Sequence, residues 1–370
     1  MGPVNYKFQD LVDLKNAGVP AEALDSLRKN ADNILSQPTV KVTDRKIKAP
    51  SGNPHEYTSI GPYWWPDETK KDGLPYIRRD GYVNPETVDK ANLGTVVSRV
   101  HTLALAAFYF EDKKYAEYAQ RQIYDWFINP ETYMEPSARY AQAIPGICDG
   151  RPIGLIDFAH NTPLFDGVGI LEELKLISKD VIDGFKAWYV RFTDWMLTHE
   201  IGIGEDLTKN NHGTWYDAQI LAAAVYTERP QLVKKILSTS YIRRFKTQIK
   251  PDGSMPHELE RTKGMSYSLY TMAAFTIIAN IAESHGFGAC YWGADSDIGE
   301  CLIKKTIDYL YPYVTGAEPF PYQELHPEST PAKLAEIMLS VGKRFPNEGY
   351  IERAEKYLNR TAKDRLEPVK

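Results

Sequence analysis

Asn210-Asn211-His212, followed by Gly213-Thr214-Trp215-Tyr216, places two amides, an imidazole and two aromatics on one short segment. Side-chain amides donate hydrogen bonds to carboxylates and oxyanions, and a neutral imidazole accepts a proton at physiological pH. The same residues also suit a plain structural role, with Asn capping a helix N-terminus and His212 and Trp215 packed inside. A second segment, His257-Glu258-Leu259-Glu260-Arg261 through Tyr267, tips the balance toward catalysis.

Arg261 and Tyr267 are six residues apart, about 240° of rotation on an uninterrupted helix, so they cannot share one helical face. Gly264 lies between them as a candidate helix start, which leaves Arg261 on the preceding loop and free to converge. Tyr267 and Tyr270 share a face, and spacing does not choose between them. Together an amide, an imidazole, a guanidinium and a phenol meet the needs of β-elimination from a 4-linked uronic acid. The C5 proton is weakly acidic, so the neighbouring carboxylate must be neutralised before charge moves into an enediolate-like state. Arg261 and Asn211 suit that task. Tyr267 is a candidate acid or base, since a nearby Arg lowers a phenol's pKa from about 10. His212 is the second candidate base.

A long connection, 38–85, carries Tyr63-Trp64-Trp65-Pro66-Asp67, then Gly73-Leu74-Pro75-Tyr76-Ile77-Arg78-Arg79-Asp80-Gly81 and Val83-Asn84-Pro85-Glu86. So aromatic a run must plug a core or line a groove. Tyr63, Trp64 and Trp65 are candidate sugar contacts, joined by Asn210, Trp215, His257, Glu258 and Tyr270. Arg78 and Arg79 offer planar forks to sugar carboxylates, although a salt-bridged fastening loop would use the same residues.

These three motifs resemble the alginate lyase superfamily, which includes polysaccharide lyase families five and thirty-eight. The resemblance runs from residue 55 to 285. It implies an (α/α) toroid that eliminates across 4-linked uronic acids in alginate or glucuronan. The family's Asn-His pair falls on Asn211 and His212, its Arg on Arg261 and its catalytic Tyr on Tyr267. The Arg-to-Tyr spacing is one residue shorter than the family-five pattern, and the loop motif is closer to family thirty-eight. Two other readings compete. A glycoside hydrolase on a similar toroid needs two opposed carboxylates, for which Glu205, Asp206, Asp217, Glu258 and Glu260 are available. A non-catalytic binder of acidic glycans needs Trp64, Trp65 and the arginines but not a poised His212 and Tyr267.

Helices must position these groups. Residues 20–36 and 87–110 place apolar side chains at three- and four-residue spacing. Similar stretches lie at 114–127, 168–178, 183–198, 214–227, 230–238, 264–284, 297–311, 331–343 and 349–361. About a dozen helices with little strand signal predict an all-α (α/α) toroid or barrel of six or seven hairpins. Its groove would be framed by the two long connections, 38–85 and 129–165. No composition break marks a linker, so residues 1–370 read as one domain.

The 43% hydrophobic content fits a globular core, and 24 Tyr suit a carbohydrate groove. A net charge of −5 argues against nucleic-acid binding. The eight His and three Cys show no metal-ligand spacing, so no metal or cofactor is expected. Cys148, Cys290 and Cys301 are odd in number; a Cys290–Cys301 pair is the alternative, and free buried thiols are the favoured reading. No membrane span is expected, and a monomer acting on an acidic polysaccharide is. Met1-Gly2-Pro3 reads as an added start before a mature N-terminus, which predicts a periplasmic or secreted protein.

Overall fold

Residues 2–86, 88–358 and 365–368 are described in the computed structural model. Position 87 of the expected 87–110 helix and positions 359–361 of the expected 349–361 helix lie outside them. The helices fall into two sets. Asp89–Phe110, Thr162–Glu173, Asn211–Tyr226, Gly264–Ser284 and Thr330–Gly342 are buried on nearly all sides, as helices inside a double layer must be. Each packs on the next in that order. Amphipathic helices form the outer layer: Ala21–Leu35, Lys113–Phe127, Lys179–Thr198, Pro230–Ser240, Leu302–Val314 and Tyr350–Leu358. The result is an (α/α) toroid. Nearly all of its buried apolar side chains, from Tyr6 to Ala354, join in one core cluster.

Two inner helices, Asp89–Phe110 and Gly264–Ser284, are long and apolar enough to cross a membrane by length and composition. That property follows from burial against neighbours on every side, and most of each apolar window is covered inside the fold.

The helix expected at 168–178 begins six residues earlier, at Thr162. Pro163 occupies its first turn, where a missing N–H costs nothing. Gly167 and Gly169 look like helix breakers in sequence. In the fold they let backbones meet, because a Cβ on Gly167 would press on His101 and one on Gly169 would overlap Gly2 and Pro3. Phe8–Ala17, Glu200–Asp206, Pro256–Leu259 and Gly288–Trp292 are additional helices. All three cysteines are free; Cys301 is buried, but Cys290 is exposed and Cys148 half-buried, which corrects the expectation of buried thiols.

The long connections hold the few strands. Thr58–Ile60 pairs in parallel with Tyr140–Ala143, tying the two connections together. Trp64–Trp65 pairs antiparallel with Ile77–Arg78, folding the first connection back on itself.

Beneath the start of Asn211–Tyr226 lies a buried ion cluster. A π-helical turn, Tyr241–Lys246, presents Arg244, whose Nε and Nη2 each donate to Asp217 at 3.0 Å. Arg244 also reaches Asp206 at 2.6 Å and the Thr208 carbonyl at 3.2 Å. Gly213 is required at this crossing, since a Cβ there would overlap the guanidinium and the Thr208 carbonyl. Arg244→Met leaves the fully buried Asp217 without its counter-charge, so unfolding free energy should drop by about 3–5 kcal/mol in urea titration.

Candidate active site

Both long connections and the N-terminal ends of four inner helices (those starting at Asp89, Asn211, Gly264 and Thr330) line one groove of about 810 Å³. Asn210 caps Asn211–Tyr226 by accepting the His212 N–H at 3.3 Å. The structural reading of this segment is therefore right for Asn210 and for Trp215, which is buried against His160 and Tyr270. His212, however, lines the groove. Its Nδ1 lies 2.8 Å from Oε1 of Glu205, a buried carboxylate from the preceding short helix. A carboxylate accepts, so Nδ1 carries the proton and Nε2 is left as the acceptor of a neutral imidazole. Glu205 thus fixes both ring orientation and tautomer.

Asn211 sits in the first helical turn and is fixed by Glu258. Its backbone N–H donates to one carboxylate oxygen at 2.7 Å and Nδ2 to the other at 2.8 Å. One Nδ2 hydrogen remains for a ligand. Glu258, a candidate sugar contact in sequence, is buried behind Asn211 and outside the groove lining. Burial pushes its carboxyl above the usual range, against the pull of the two Asn211 donors.

Gly264 starts the long inner helix and leaves Arg261 on the loop before it. The guanidinium then folds over the Tyr267 ring, 4.1 Å from its centroid, and donates to Tyr267 Oη at 3.1 Å. The same Nη2 lies 3.0 Å from Asp80, which also receives Arg78 at 2.7 Å and Thr262 Oγ1 at 2.9 Å. Asp80 therefore joins the first connection to the Arg261 loop. Tyr63 completes the junction, with its Oη 2.5 Å from Tyr267 Oη. Sequence reasoning expected Arg261 to lower the Tyr267 pKa. The structure reverses the net direction: burial raises it above the ordinary tyrosine range, Tyr63 adds to the rise, and Arg261 opposes it. Tyr267 is a phenol, not a phenolate, at neutral pH.

Tyr63, Trp64, Arg78, Asn210, Asn211, His212, His257, Arg261, Tyr267 and Tyr270 all line the groove. Trp65, Arg79, Trp215 and Glu258 do not: Trp65 bonds the Tyr82 carbonyl and stacks near Arg79, which pairs with Glu68. Sequence reasoning missed Lys90, Arg151, Lys209, Lys263, Lys333, Gln142, Asp157 and His160, which also line it. Lys209 and Lys263 stand beside the recognised motifs, and the positions of the others depend on tertiary closure. Arg151 bonds Gln142 through two of its nitrogens and faces the Trp64 ring. Burial pushes the His160 imidazole pKa down, and Lys90 adds to that shift.

Charge in the groove opposes that of the whole chain. Seven cations line it (Arg78, Lys90, Arg151, Lys209, Arg261, Lys263 and Lys333) against the single carboxylate of Asp157, in a protein of net charge −5. Asp157 is itself held by Tyr57, Ser59, Gln142 and Lys90. The carboxylates a hydrolase would need are committed elsewhere or lie outside the groove: Glu205 to His212, Asp206 and Asp217 to Arg244, and Glu258 to Asn211, while Glu260 is exposed and not part of the lining. A groove built this way carries a local positive charge within an acidic chain.

A family model for alginate lyases matches residues 41–320. The chain belongs to the alginate lyase family. It is a polysaccharide lyase. An alginate lyase from Bacteroides ovatus is 33% identical and superposes with a TM-score of 0.92, over 98% of this chain and 97% of that one. Alginate lyase A1-III from Sphingomonas species A1 is 15% identical, with a TM-score of 0.55 over 86% of each chain. A form of A1-III complexed with a tetrasaccharide is 14% identical, with a TM-score of 0.58 over 90% of this chain and 85% of that one; these two share the fold of the lyase. A comparison with curated protein sequences finds no match.

Proposed function

We propose that this lyase cleaves the 4-linked uronates of alginate by β-elimination, with Tyr267 and His212 moving the protons. The observation that carries this reading is the convergence on one cationic groove of a phenol held by Arg261 and an imidazole held by Glu205. In the reaction the C5–H bond breaks, its electron pair forms the C4=C5 double bond, and the C4–O4 bond breaks with protonation of O4. Asn211, through its remaining N–H, and Arg261 neutralise the carboxylate on C5, so that charge developing there meets preorganised donors.

Stereochemistry divides the labour. In guluronate the C5 proton and O4 lie on opposite faces, so His212 Nε2 takes the proton while Tyr267 gives its own to O4. In mannuronate or glucuronate they lie on one side, and Tyr267 serves as both base and acid. For that route Tyr267 first loses its proton to solvent in the groove; the phenolate then takes the C5 proton and returns it to O4, with Arg261 and Tyr63 the two groups within hydrogen-bond reach of its oxygen. Incubation with alginate and, in parallel, glucuronan tests the reading through ultraviolet absorbance of the conjugated double bond. Elimination produces it; hydrolysis, which yields reducing ends without that absorbance, or binding alone would overturn the proposal. Arg261→Ala should lower kcat on a cleaved polymer by about 10²–10³, the scale for loss of one preorganised donor. Near-normal turnover would move the neutralising role to Arg78.

A further inference from the structure

Lys263 and Lys333 face the same groove as the phenol pair yet play no part in the chemistry above. Lys333 belongs to the inner helix Thr330–Gly342, beyond the stretch matched by the family model. Its Nζ contacts hydroxyls only, Ser266 Oγ at 3.4 Å and Ser329 Oγ at 3.1 Å. Lys263 holds its ammonium 5.9 Å from the Tyr63 ring centroid, one side chain away from Tyr267. Glu324, the acid whose charge acts most on Lys263, gives its hydrogen-bonding oxygens to neutral donors: the N–H and hydroxyl of Ser266, and the His326 N–H. Among the described residues no carboxylate lies within ion-pair distance of either lysine. Burial shifts the Lys263 pKa downward against the pull of Glu324, and repulsion from the Lys333 ammonium adds to the fall. Two like charges that share the field of one carboxylate, with no ion pair to it among the described residues, leave a site with one positive charge to spare for an anion.

We infer that Lys263 and Lys333 form a subsite for the carboxylate of a uronate neighbouring the one that is cleaved, so that the C-terminal inner helix sets the register of the polymer across Tyr267. This rests on the uronate-lyase reading. The spacing of carboxylates along a 4-linked uronate chain, one per sugar, gives the second charge a place to go once the first is held by Asn211 and Arg261. A neutral polymer would gain nothing from the pair.

The test uses the full chain carrying Tyr267→Phe, expected to bind without turnover, and calorimetric Kd values for mannuronate and its 4-linked di-, tri- and tetrasaccharides. Lys263→Met and Lys333→Met remove each ammonium while keeping an apolar stem. Each should weaken the longer oligosaccharides by about tenfold, the scale of one hydrogen bond to a charged group. Mannuronate itself should lose far less, and Lys333→Arg should restore most of the Lys333→Met loss. Equal loss at every length, or none, would overturn the subsite, and thermal melts of the variants report whether the groove still folds. If the Tyr267→Phe parent binds no uronate of any length, the lyase reading fails instead. Should Lys263→Met melt early because Lys263 precedes the helix start, Lys333→Met alone decides the question.

Discussion

Tyr267→Phe should abolish turnover on every uronate polymer while leaving oligosaccharide affinity within a few-fold of the parent. The substitution removes one oxygen, the atom on which Tyr63 and Arg261 converge, and keeps the ring that Arg261 covers. Burial favours the protonated phenol, which stands ready as the acid for O4 in the anti reaction; in the syn reaction the same oxygen, once deprotonated, takes the C5 proton and returns it to O4. Loss of a positioned acid that no neighbour replaces is expected to cost about four orders of magnitude in kcat, the upper end for such groups. Tyr270 is the control. It shares the groove wall, three residues along the same helix, and packs on His160 and Trp215. If Tyr270→Phe is dead and Tyr267→Phe turns over, the proton belongs to the other ring.

His212→Ala should separate substrates. Polyguluronate, which needs a base on the face opposite O4, should lose about 10²–10⁴ in kcat/KM. Polymannuronate and glucuronan should lose much less, because Tyr267 handles both protons. Initial rates on block-pure polymers measure the ratio. Glu205→Gln should follow the same substrate order more weakly, since an amide facing Nδ1 no longer demands the tautomer that leaves Nε2 free. Equal loss on all three polymers would instead make His212 a neutraliser of the substrate carboxylate or a structural partner of Tyr267.

Much of the architecture was readable from periodicity, because the inner helices are apolar all round and the outer ones carry a single apolar face. Helix starts were readable where a local signal existed, as with the Asn210 cap and Gly264. The Gly264 signal decided the site, since only a helix beginning there frees Arg261 to reach Tyr267. Thr162–Glu173 was misplaced because Gly167 and Gly169 serve close helix contact, which is a property of the neighbour and not of the segment. The same limit explains the site residues that were missed. Asp80 gains its meaning from Arg261, 181 positions away. Glu205 was visible as an acid, but its service to His212 depends on how two short helices meet. Glu258 looked like a sugar contact for the reason that it is polar, and the fold spends that polarity on Asn211.

The Tyr63–Tyr267 contact joins residues 204 positions apart, and Arg261–Asp80 spans nearly as far. Both are late events for a polymer, since closing so long a loop must precede any reward from the contact. During refolding, helix signals should therefore return well ahead of catalysis. A chain with its inner helices assembled but its first connection undocked would look native by far-ultraviolet circular dichroism and still cut nothing. Enzymatic activity in this protein is a clock for the last step of its own folding.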